Sequence, residues 1–412
     1  MAQTERIRQR RPLRGQSQDQ PTSRKSHPQE KSFLSNCCKQ ILYIDGVLFL
    51  MLVIYLMLKS TPVDPEAYRL PPPRPWTGPL AENNKLQQGK RLVENKVFGP
   101  ESLALKNGRL YTGTVDGKVV EISNEKDVKV VARLGGSTCG DTMGEEERCG
   151  RPLAVRFIDE KLYVMDAFFG LYQLDITGGN LPKQLVSTKT SHGGHTMKFA
   201  NDFEQLDNGT FLFSDTSHKW HMTQNGLLVL ENKACGRLLW YDPETKTSGV
   251  VKDGLYSPNG IQLSPKKDFL LIAESTRYRI SKYYVKGPKA GKTEIFSDNL
   301  PGMPDNISPS RNGGYWVGFA LANSRMGPMK MDVVAPLPWL RKIVAKLVDP
   351  TSLVSYMPQY GLIIELNQKG EIVQSLHDPS GKVVPSVSEV LDTGDALYLG
   401  SYHSPFIVKV DL

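Results

Sequence analysis

The chain has 412 residues, of which 39% are hydrophobic and 23% charged, a composition typical of a folded protein. Its formal net charge is +8, but residues 1–40 hold nine Lys and Arg against three Asp and Glu, so +6 of that charge lies in an N-terminal tail. Because the remainder is nearly neutral, the composition does not indicate a face that binds nucleic acid.

The first predicted element is a transmembrane helix over residues 41–58, which read ILYIDGVLFLMLVIYLML. Eighteen residues at 1.5 Å each extend about 27 Å, close to the thickness of a hydrocarbon core. A buried core helix is the alternative, but the polar residues before it and the Pro-rich residues after it supply no core. The basic residues 1–40 precede the segment, so the positive-inside rule makes them a cytosolic tail and 41–58 a signal anchor in the lipid bilayer.

This orientation predicts a single-pass type II protein whose larger part is lumenal or extracellular, at the plasma membrane or the endoplasmic reticulum.

Residues 59–90 contain PPPRP and are predicted to form a stiff stalk. Cys139 and Cys149 flank a polar loop, which predicts a disulfide in an oxidising compartment. Of the two N-glycosylation sequons, Asn208-Gly-Thr is the credible site, because the one at Asn306 lies beside a predicted metal ligand.

Residues 91–412 show short alternating strands between Gly, Asn and Asp turns, a pattern typical of an all-β fold. A loop phrase followed by a strand recurs six times, at intervals of 50, 50, 58, 46 and 84 residues. Six four-stranded units of this length predict a six-bladed β-propeller, preceded by the single transmembrane helix. We call the polar residue that opens each repeat its lead residue, and the six are Glu101, Arg151, Asn201, Asn259, Asp305 and Glu389.

The long last interval predicts an insertion in blade five or six. Residues from about 322 to 360 contain PLPWLRKIVAKLV, which has the spacing of a basic amphipathic helix. Such a helix can be a lid on the propeller mouth or a contact with a membrane surface, and the sequence leaves both open.

Corresponding loops of a propeller converge at one mouth of its channel, so the lead residues are expected to meet there. Glu101, Asn201, Asn259 and Asp305 are oxygen donors, and two carboxylates with two amides suit Ca²⁺. Turn capping is the alternative for each residue alone, but four repeats in register favour a calcium site. Two residues that follow leads are predicted to add further ligands or outer-sphere hydrogen bonds: Asp202 and Asn306.

Several phrases resemble the strictosidine synthase-like family, which is related to paraoxonases and calcium-dependent lactonases: FGPESLA, CGRPLAV, FANDF, SPNGIQLSP, MPDNI, GGYWVG, SLHDPSG and LYLGSYHSPF. The resemblance covers essentially the whole chain. It implies a six-bladed propeller with axial calcium, arylesterase-like activity and a surface or endomembrane location. By motif match, the calcium ligands of the family fall on Glu101, Asn201, Asn259 and Asp305.

The chain departs from the family at the reactive positions. Strictosidine synthases carry a catalytic Glu where this chain has Ser388, and the neighbouring Glu389 is offset by one residue, which on a strand points it to the opposite face. Alkaloid synthesis is therefore not expected. Paraoxonases place a His near Asp166, so a His-based mechanism at that position is not expected either. The candidate general bases are Asp215, Asp166 and Glu389, with His218 and His221 as weaker ones.

These patterns predict a membrane-anchored, calcium-dependent hydrolase that acts on small aryl esters or lactones. The alternative is a non-enzymatic surface propeller that binds a protein partner and holds calcium only as a structural ion. The two hypotheses differ in whether an open pocket with a poised acid–base group lies above the metal.

Overall fold

The chain divides into two compact units, residues 1–60 and 61–412. The structure is a computed structural model that describes residues 28–136, 139, 144–176, 181–322, 331–349 and 359–412. In the first unit, helix α1 spans Pro28–Leu58. Its part Cys37–Leu58 is long and apolar enough to cross a membrane, and none of it is buried within the protein. This helix fits the predicted membrane anchor.

Within the described residues, the second unit contains 26 β-strands. In chain order they are β1 (Lys90–Leu92), β2 (Leu103–Lys106), β3 (Arg109–Gly113), β4 (Lys118–Ser123), β5 (Asp127–Arg133), β6 (Pro152–Ile158), β7 (Lys161–Asp166), β8 (Gly170–Leu174), β9 (Lys183–Ser187), β10 (Ser191–His192), β11 (His195–Thr196), β12 (Ala200–Gln205), β13 (Phe211–Asp215), β14 (Gly236–Asp242), β15 (Thr247–Leu255), β16 (Pro258–Leu263), β17 (Phe269–Glu274), β18 (Arg279–Tyr284), β19 (Thr293–Ser297), β20 (Met303–Pro309), β21 (Tyr315–Leu321), β22 (Gly361–Leu366), β23 (Ile372–Asp378), β24 (Val390–Asp392), β25 (Ala396–Leu399) and β26 (Ile407–Asp411).

Its helices are α2 (Glu146–Cys149), α3 (Asn225–Glu231), α4 (Met331–Val334) and α5 (Pro338–Leu347). Short 3₁₀ turns occur at Gly78–Leu80, Lys85–Gln88, Met222–Gln224 and Ser275–Arg277.

The strands form six four-stranded antiparallel sheets and one small hairpin, β10–β11. Blades one to five are β2–β5, β6–β9, β12–β15, β16–β19 and β20–β23, and blade six joins β24, β25 and β26 to β1. The first strands of successive blades contact one another around a ring: β2 touches β6 and β24, β12 touches β6 and β16, and β20 touches β16 and β24. The predicted six-bladed propeller is confirmed.

Pairing between the two ends of the propeller chain closes the ring. β1 pairs antiparallel with β26, with Arg91 opposite Val408, so the last blade contains strands from both ends. Unfolding blade six therefore opens the ring, whereas each other blade is contiguous in sequence. Tight turns connect the strands within blades. Asn107 and Gly108, both at positive φ, join β2 to β3, as the right-handed twist of a two-residue hairpin requires.

The core lies between adjacent blades, where the apolar faces of neighbouring sheets pack together. Between blades four and five, for example, Leu271, Ile307 and Val317 are fully buried in one cluster. This layered packing leaves the first strand of each blade facing the central channel, where polar residues gather.

Residues 61–89 do not form the separate stiff stalk predicted for residues 59–90. They belong to the propeller unit, and Val63, Tyr68, Leu80 and Leu86 are buried against it. The apolar side chains occur singly along an extended segment, so they form no periodic pattern, yet each reaches a separate cluster of the propeller surface. The segment is therefore a strap on the propeller.

The predicted insertion lies in blade five, between β21 and β22, and it contains α4 and α5. Parts of the predicted span 322–360, namely 323–330 and 350–358, lie outside the described residues. Cys139 and Cys149 form the predicted disulfide, with Cα atoms 5.2 Å apart.

Candidate functional site

A cavity of about 430 Å³ lies at one mouth of the central channel. Five of the six lead residues line it, one from each of blades one to five: Glu101, Arg151, Asn201, Asn259 and Asp305. Four of these five are the oxygen donors singled out as calcium ligands. The repeat geometry thus brings side chains that are up to 204 residues apart in sequence to one polar floor.

Irregularities in the backbone of the innermost strands set the direction of these donor side chains. In β12, β16 and β20 the antiparallel register shifts where the candidate ligands lie, between Ala200 and Phe203, between Pro258 and Ile261, and between Pro304 and Ile307. An irregularity of this kind leaves residues out of the ladder and redirects their side chains.

Gly260 shows how tightly blades four and five approach at this level. A Cβ there would lie 2.4 Å from the Cα of Asn306 and 2.8 Å from the carbonyl oxygen of Asp305. Only glycine fits between the two bulges without displacing the strand that carries Asp305.

The two carboxyl groups of the floor are buried and electrostatically strained. Burial raises the pKa of Asp305 to about 7, although its carboxyl accepts hydrogen bonds from the Ser388 hydroxyl and the Asn259 amide. Burial, and next the nearby Asp305, raise the pKa of Glu101 well above its ordinary range. The Arg151 guanidinium is 3.5 Å from the Glu101 carboxylate and offsets part of this cost. With one guanidinium against two carboxylates, the floor keeps an excess of negative charge when both acids are ionised.

A divalent cation fits this donor set. The Oδ1 atoms of Asn259 and Asn306 are buried, and none of the described residues donates a hydrogen bond to either. An unpaired buried amide oxygen is costly unless a donor or a cation satisfies it. The described ranges contain no group of three or more His, Cys, Asp or Glu arranged to hold a metal, so this site depends on amides as well as carboxylates. Its all-oxygen chemistry suits Ca²⁺ or Mg²⁺ rather than a softer metal.

Arg151 is held mainly by backbone groups from the ends of the ring. Its guanidinium donates to the carbonyl oxygens of Gly99, at 2.7 Å, and Tyr402, at 3.0 Å. This side chain therefore ties together blades one, two and six beneath the cavity wall. These hydrogen bonds fix Arg151 beside Glu101. Because the guanidinium has no oxygen, Arg151 is not one of the candidate cation ligands.

In blade six the inward position belongs to Ser388. Its hydroxyl contacts Asp305 and accepts the Tyr402 N–H at 2.9 Å, while Glu389 does not line the cavity. The Glu389 carboxyl instead contacts the Ser308 hydroxyl, and burial raises its pKa to about 7. The sixth lead residue therefore departs from the expected convergence, since a one-residue step along a strand reverses the side chain.

Asp202 and Asn306 occupy the bulges beside the donors. Asp202 accepts hydrogen bonds from Arg156 at 2.7 and 2.9 Å and from the backbone N–H of Ile261 at 2.8 Å, so it connects blades two, three and four. Asn306 donates its backbone N–H to the Ser388 carbonyl at 3.0 Å. Neither residue lines the cavity, and the Asn306 side-chain oxygen has no hydrogen-bond partner among the described residues.

The other candidate bases do not line the cavity. Asp166 is fully buried, with Oδ1 bound to the backbone N–H groups of Phe168 and Phe169, and burial raises its pKa to about 7. Asp215 is also fully buried and receives the Arg237 Nε at 3.0 Å, and burial raises its pKa to about 6.

The two weaker histidine candidates also lie away from the floor. His218 stacks on His195 with ring centroids 4.3 Å apart, and His221 stacks on Phe168 at 6.1 Å. Neither belongs to the cavity lining.

The cavity lining also contains a histidine, His403, which sequence reasoning missed. It lies with Tyr402 in the cavity wall, and its Nδ1 is 3.4 Å from the Ser386 hydroxyl. The His403 residue is exposed, and partial desolvation by the protein around it lowers the pKa of the imidazole below the ordinary value of 6.5. The sequence signal that could have identified it is SYHSPF. This segment directly follows the inner hairpin of the sixth repeat, so its loop lies at the same mouth of the channel as the donors.

Apolar side chains from two insertions cover the polar floor. Helix α3, inserted in blade three, contributes Leu228, Val229 and Leu230, and α4 of blade five contributes Met331. An oxygen-lined floor beneath an apolar cover is suited to a small ligand with a polar reactive end and an apolar body.

The fold and cavity define a six-bladed propeller with a capped axial site of oxygen donors. Solved structures share this fold: a gluconolactonase from Xanthomonas campestris has a TM-score of 0.52 at 14% identity, covering 86% of this chain and 99% of its own. A calcium-binding protein, regucalcin, from Agrobacterium tumefaciens has a TM-score of 0.50 at 11% identity, covering 78% and 92%. At these identities the likeness establishes the fold alone.

Sequence comparisons define the family. The strictosidine synthase model matches residues 201–288, and the model for the N-terminal part of strictosidine synthase-like proteins matches 78–122. Adipocyte plasma membrane-associated protein of Gallus gallus is 39% identical over 418 residues, covering 100% of this chain and 99% of that protein. The chain belongs to the adipocyte plasma membrane-associated protein family of strictosidine synthase-like propellers. The family resemblance inferred from the motifs is confirmed, and the name of the relative fits a membrane-anchored protein.

Proposed function

We propose that the chain is a membrane-anchored, calcium-dependent hydrolase that cleaves small aryl esters or lactones in the capped cavity. The observation that carries this proposal is the meeting of Glu101, Asn201, Asn259 and Asp305, from four different blades, on the floor of an apolar-covered cavity. The names of the structural neighbours, a gluconolactonase and a calcium-binding regucalcin, support the same chemistry.

The four donors would hold the ion through two carboxylates and two amide oxygens. A bound Ca²⁺ supplies Lewis-acid polarisation of an ester carbonyl and stabilises developing negative charge on its oxygen. The apolar residues of α3 and α4 bind the body of the substrate and exclude bulk water, so the reacting carbonyl is oriented toward the floor.

His403 is the proposed general base. Because its pKa lies below 6.5, the imidazole is neutral at pH 7 and can accept the proton of an attacking water. The contact with Ser386 orients one ring nitrogen, which is the arrangement that fixes a histidine tautomer. Placement in the cavity wall favours His403 over Asp166, Asp215 and Glu389, which lie outside the lining.

The test is hydrolysis of a panel of aryl acetates and lactones by the purified full-length protein in detergent, with calcium, with chelator, and after calcium is restored. We expect activity that chelator abolishes and calcium restores, and that Asp305→Asn removes. The matched control is Asp411→Asn, which makes the same charge change at a highly exposed carboxylate near the C-terminus.

The panel also discriminates the alternative function. If calcium binds to the wild type but no ester or lactone is hydrolysed, the ion is structural and the propeller is a binding module for a protein partner. If hydrolysis persists unchanged in excess chelator, calcium has no part in the reaction.

We further propose a cytosolic N-terminus and a lumenal or extracellular propeller, because the basic residues precede the apolar helix. A C-terminal epitope tag should resist protease in intact microsomes, and Asn208→Gln should remove an endoglycosidase-sensitive mass. Asn208 lies in an exposed turn between β12 and β13, where a glycan can be attached. Digestion of the C-terminal tag while an N-terminal tag survives would reverse the orientation.

A further inference from the structure

One buried arginine fixes the orientation of helix α5. The Arg341 side chain is fully buried and donates to the carbonyl oxygens of Leu230 at 3.0 Å, Glu231 at 3.2 Å and Ala335 at 3.1 Å. It also donates to the Glu66 carbonyl in the strap. Four backbone acceptors from three segments hold the guanidinium, so the rotation of α5 about its axis is set by the propeller unit.

The opposite face of α5 is apolar and exposed. Trp339, Ile343 and Leu347 recur at four-residue spacing, and we call these three residues the α5 stripe. Trp339 is 59% and Leu347 54% exposed, while Ile343 is half-buried. At about 100° per residue, the centre of the stripe lies about 160° around the helix from Arg341. Burial of the arginine face therefore forces the apolar stripe outward.

Basic residues border the stripe on one side. Lys342 and Lys346 lie about 80° around the helix from its centre. Lys342 pairs with Asp64 at 3.0 Å, and both side chains are well exposed. A helix that carries Trp and aliphatic residues on one face and lysines at its edge has the composition of helices that lie in a membrane interface.

With α1 in a membrane, as proposed above, a short covalent link limits the distance between the strap contact of α5 and that membrane. Asp64 and Glu66 of the strap contact Lys342 and Arg341 of α5, and Asp64 follows the last residue of α1, Leu58, by only six positions. Six residues span at most about 20 Å. Whatever the path of the intervening residues, the strap contact of α5 is covalently tethered within that distance of the end of the apolar helix.

We propose that the α5 stripe inserts into the interfacial layer of the membrane that holds α1. The occupant of the exposed face is then the lipid bilayer, not a second copy or a soluble partner. Because Arg341 binds carbonyls of α3, and α3 covers the cavity, the membrane contact adjoins the cover of the site. On the proposed hydrolase function, this arrangement selects apolar esters dissolved in the bilayer.

The docking is tested on the full-length protein reconstituted in vesicles that contain brominated phosphatidylcholine, which quenches tryptophan by contact. Trp339 is exposed, whereas the chain's other four tryptophans are buried or half-buried. We expect brominated lipid to quench wild-type fluorescence and to leave the Trp339→Phe variant nearly unquenched. The matched control, Trp240→Phe, should keep the quenching of the wild type.

Two outcomes overturn the proposal. Equal quenching of wild type and Trp339→Phe would show that Trp339 does not reach lipid. Absence of quenching, together with cross-linking between two chains that both carry Ile343→Cys, would assign the stripe to a second copy.

The substrate consequence has a separate assay. The double variant Trp339→Gln/Leu347→Gln should hydrolyse an ester carried in vesicles at least several-fold more slowly than the wild type and a water-soluble ester at the same rate. An equal rate loss on both esters would refute the substrate consequence. If the wild type hydrolyses neither ester, the hydrolase proposal fails, while the quenching result still decides whether the stripe contacts lipid.

Discussion

Replacing Asp305 by Asn separates the cost of its charge from its contribution to calcium binding. Burial raises the pKa of Asp305 from 3.8 to about 7, so without calcium the ionised carboxylate is disfavoured in the folded state. A folded pKa above the unfolded one means that this group's contribution to stability is complete below about pH 4 and is lost as pH rises through about 7. The shift corresponds to about 4 kcal/mol at pH 8. Asparagine has nearly the same shape as aspartate but no charge, so Asp305→Asn removes the free-energy cost of burying the ionised carboxylate.

Calcium narrows the difference in stability between the wild type and Asp305→Asn. An ion at 100 times its Kd stabilises the folded state by about 2.7 kcal/mol. The propeller unit, Thr61–Leu412, has about 350 residues, so 1 kcal/mol shifts its Tm by roughly 1.4 °C. We therefore expect calcium to raise the wild-type Tm by about 4 °C. Asp305→Asn should raise the Tm in chelator by up to about 6 °C and abolish the calcium-induced increase.

The assay is differential scanning calorimetry of the full-length protein at pH 8, in chelator and in calcium. Asn201→Ala is the matched comparison, because it removes a ligand oxygen without removing charge and should lose the calcium shift without a gain in chelator. Asp411→Asn should change neither value. The reasoning is refuted if Asp305→Asn retains the full calcium shift, or if it lowers the Tm in chelator.

Three further predictions concern catalysis, the disulfide and acid stability. His403→Gln should lower kcat/KM by about 100-fold or more and remove a kinetic pKa below 6.5, and an unchanged pH–rate profile would exclude His403 as the base. Cys139→Ser/Cys149→Ser should cost about 2–4 kcal/mol in urea unfolding, whereas no change would mean that the bridge closes a loop of little consequence. Burial lowers the pKa of His377 to about 4, so stability should fall by about 3 kcal/mol as pH drops from 6.5 to 4. His377→Gln should flatten that slope in urea titrations at successive pH values, and an unaltered slope would assign acid sensitivity to other groups.

The sequence by itself determined the propeller, because each blade is a contiguous repeat whose strands, turns and lead residue recur. Four oxygen donors could be grouped without a structure, since residues at one repeat position must face one channel. The disulfide could also be predicted, because Cys139 and Cys149 are close in sequence and a short polar loop can bring them together.

Only the tertiary structure decided which groups surround the donors. His403 follows the last inner hairpin, and nothing local distinguishes it from His218 until the ring closes and turns its loop toward the cavity. Ser388 and Glu389 are neighbours in sequence, and successive side chains of a strand point to opposite faces. In the folded propeller the Ser388 side chain points to the channel and that of Glu389 points away from it. The packing of the strap on the propeller could not be predicted from the sequence. Val63 and Leu80 are buried in different clusters, so their spacing forms no periodic pattern.

The outward face of α5 depended on the same kind of information. Its amphipathic sequence was equally consistent with a lid and with a membrane contact, because a helical pattern specifies faces but not what each face meets. The hydrogen bonds of the buried Arg341 to carbonyls of α3, of Ala335 just after α4, and of the strap selected the face turned to the protein. A contact among segments up to 275 residues apart is a property of the closed ring, and no local pattern in the chain could have specified it.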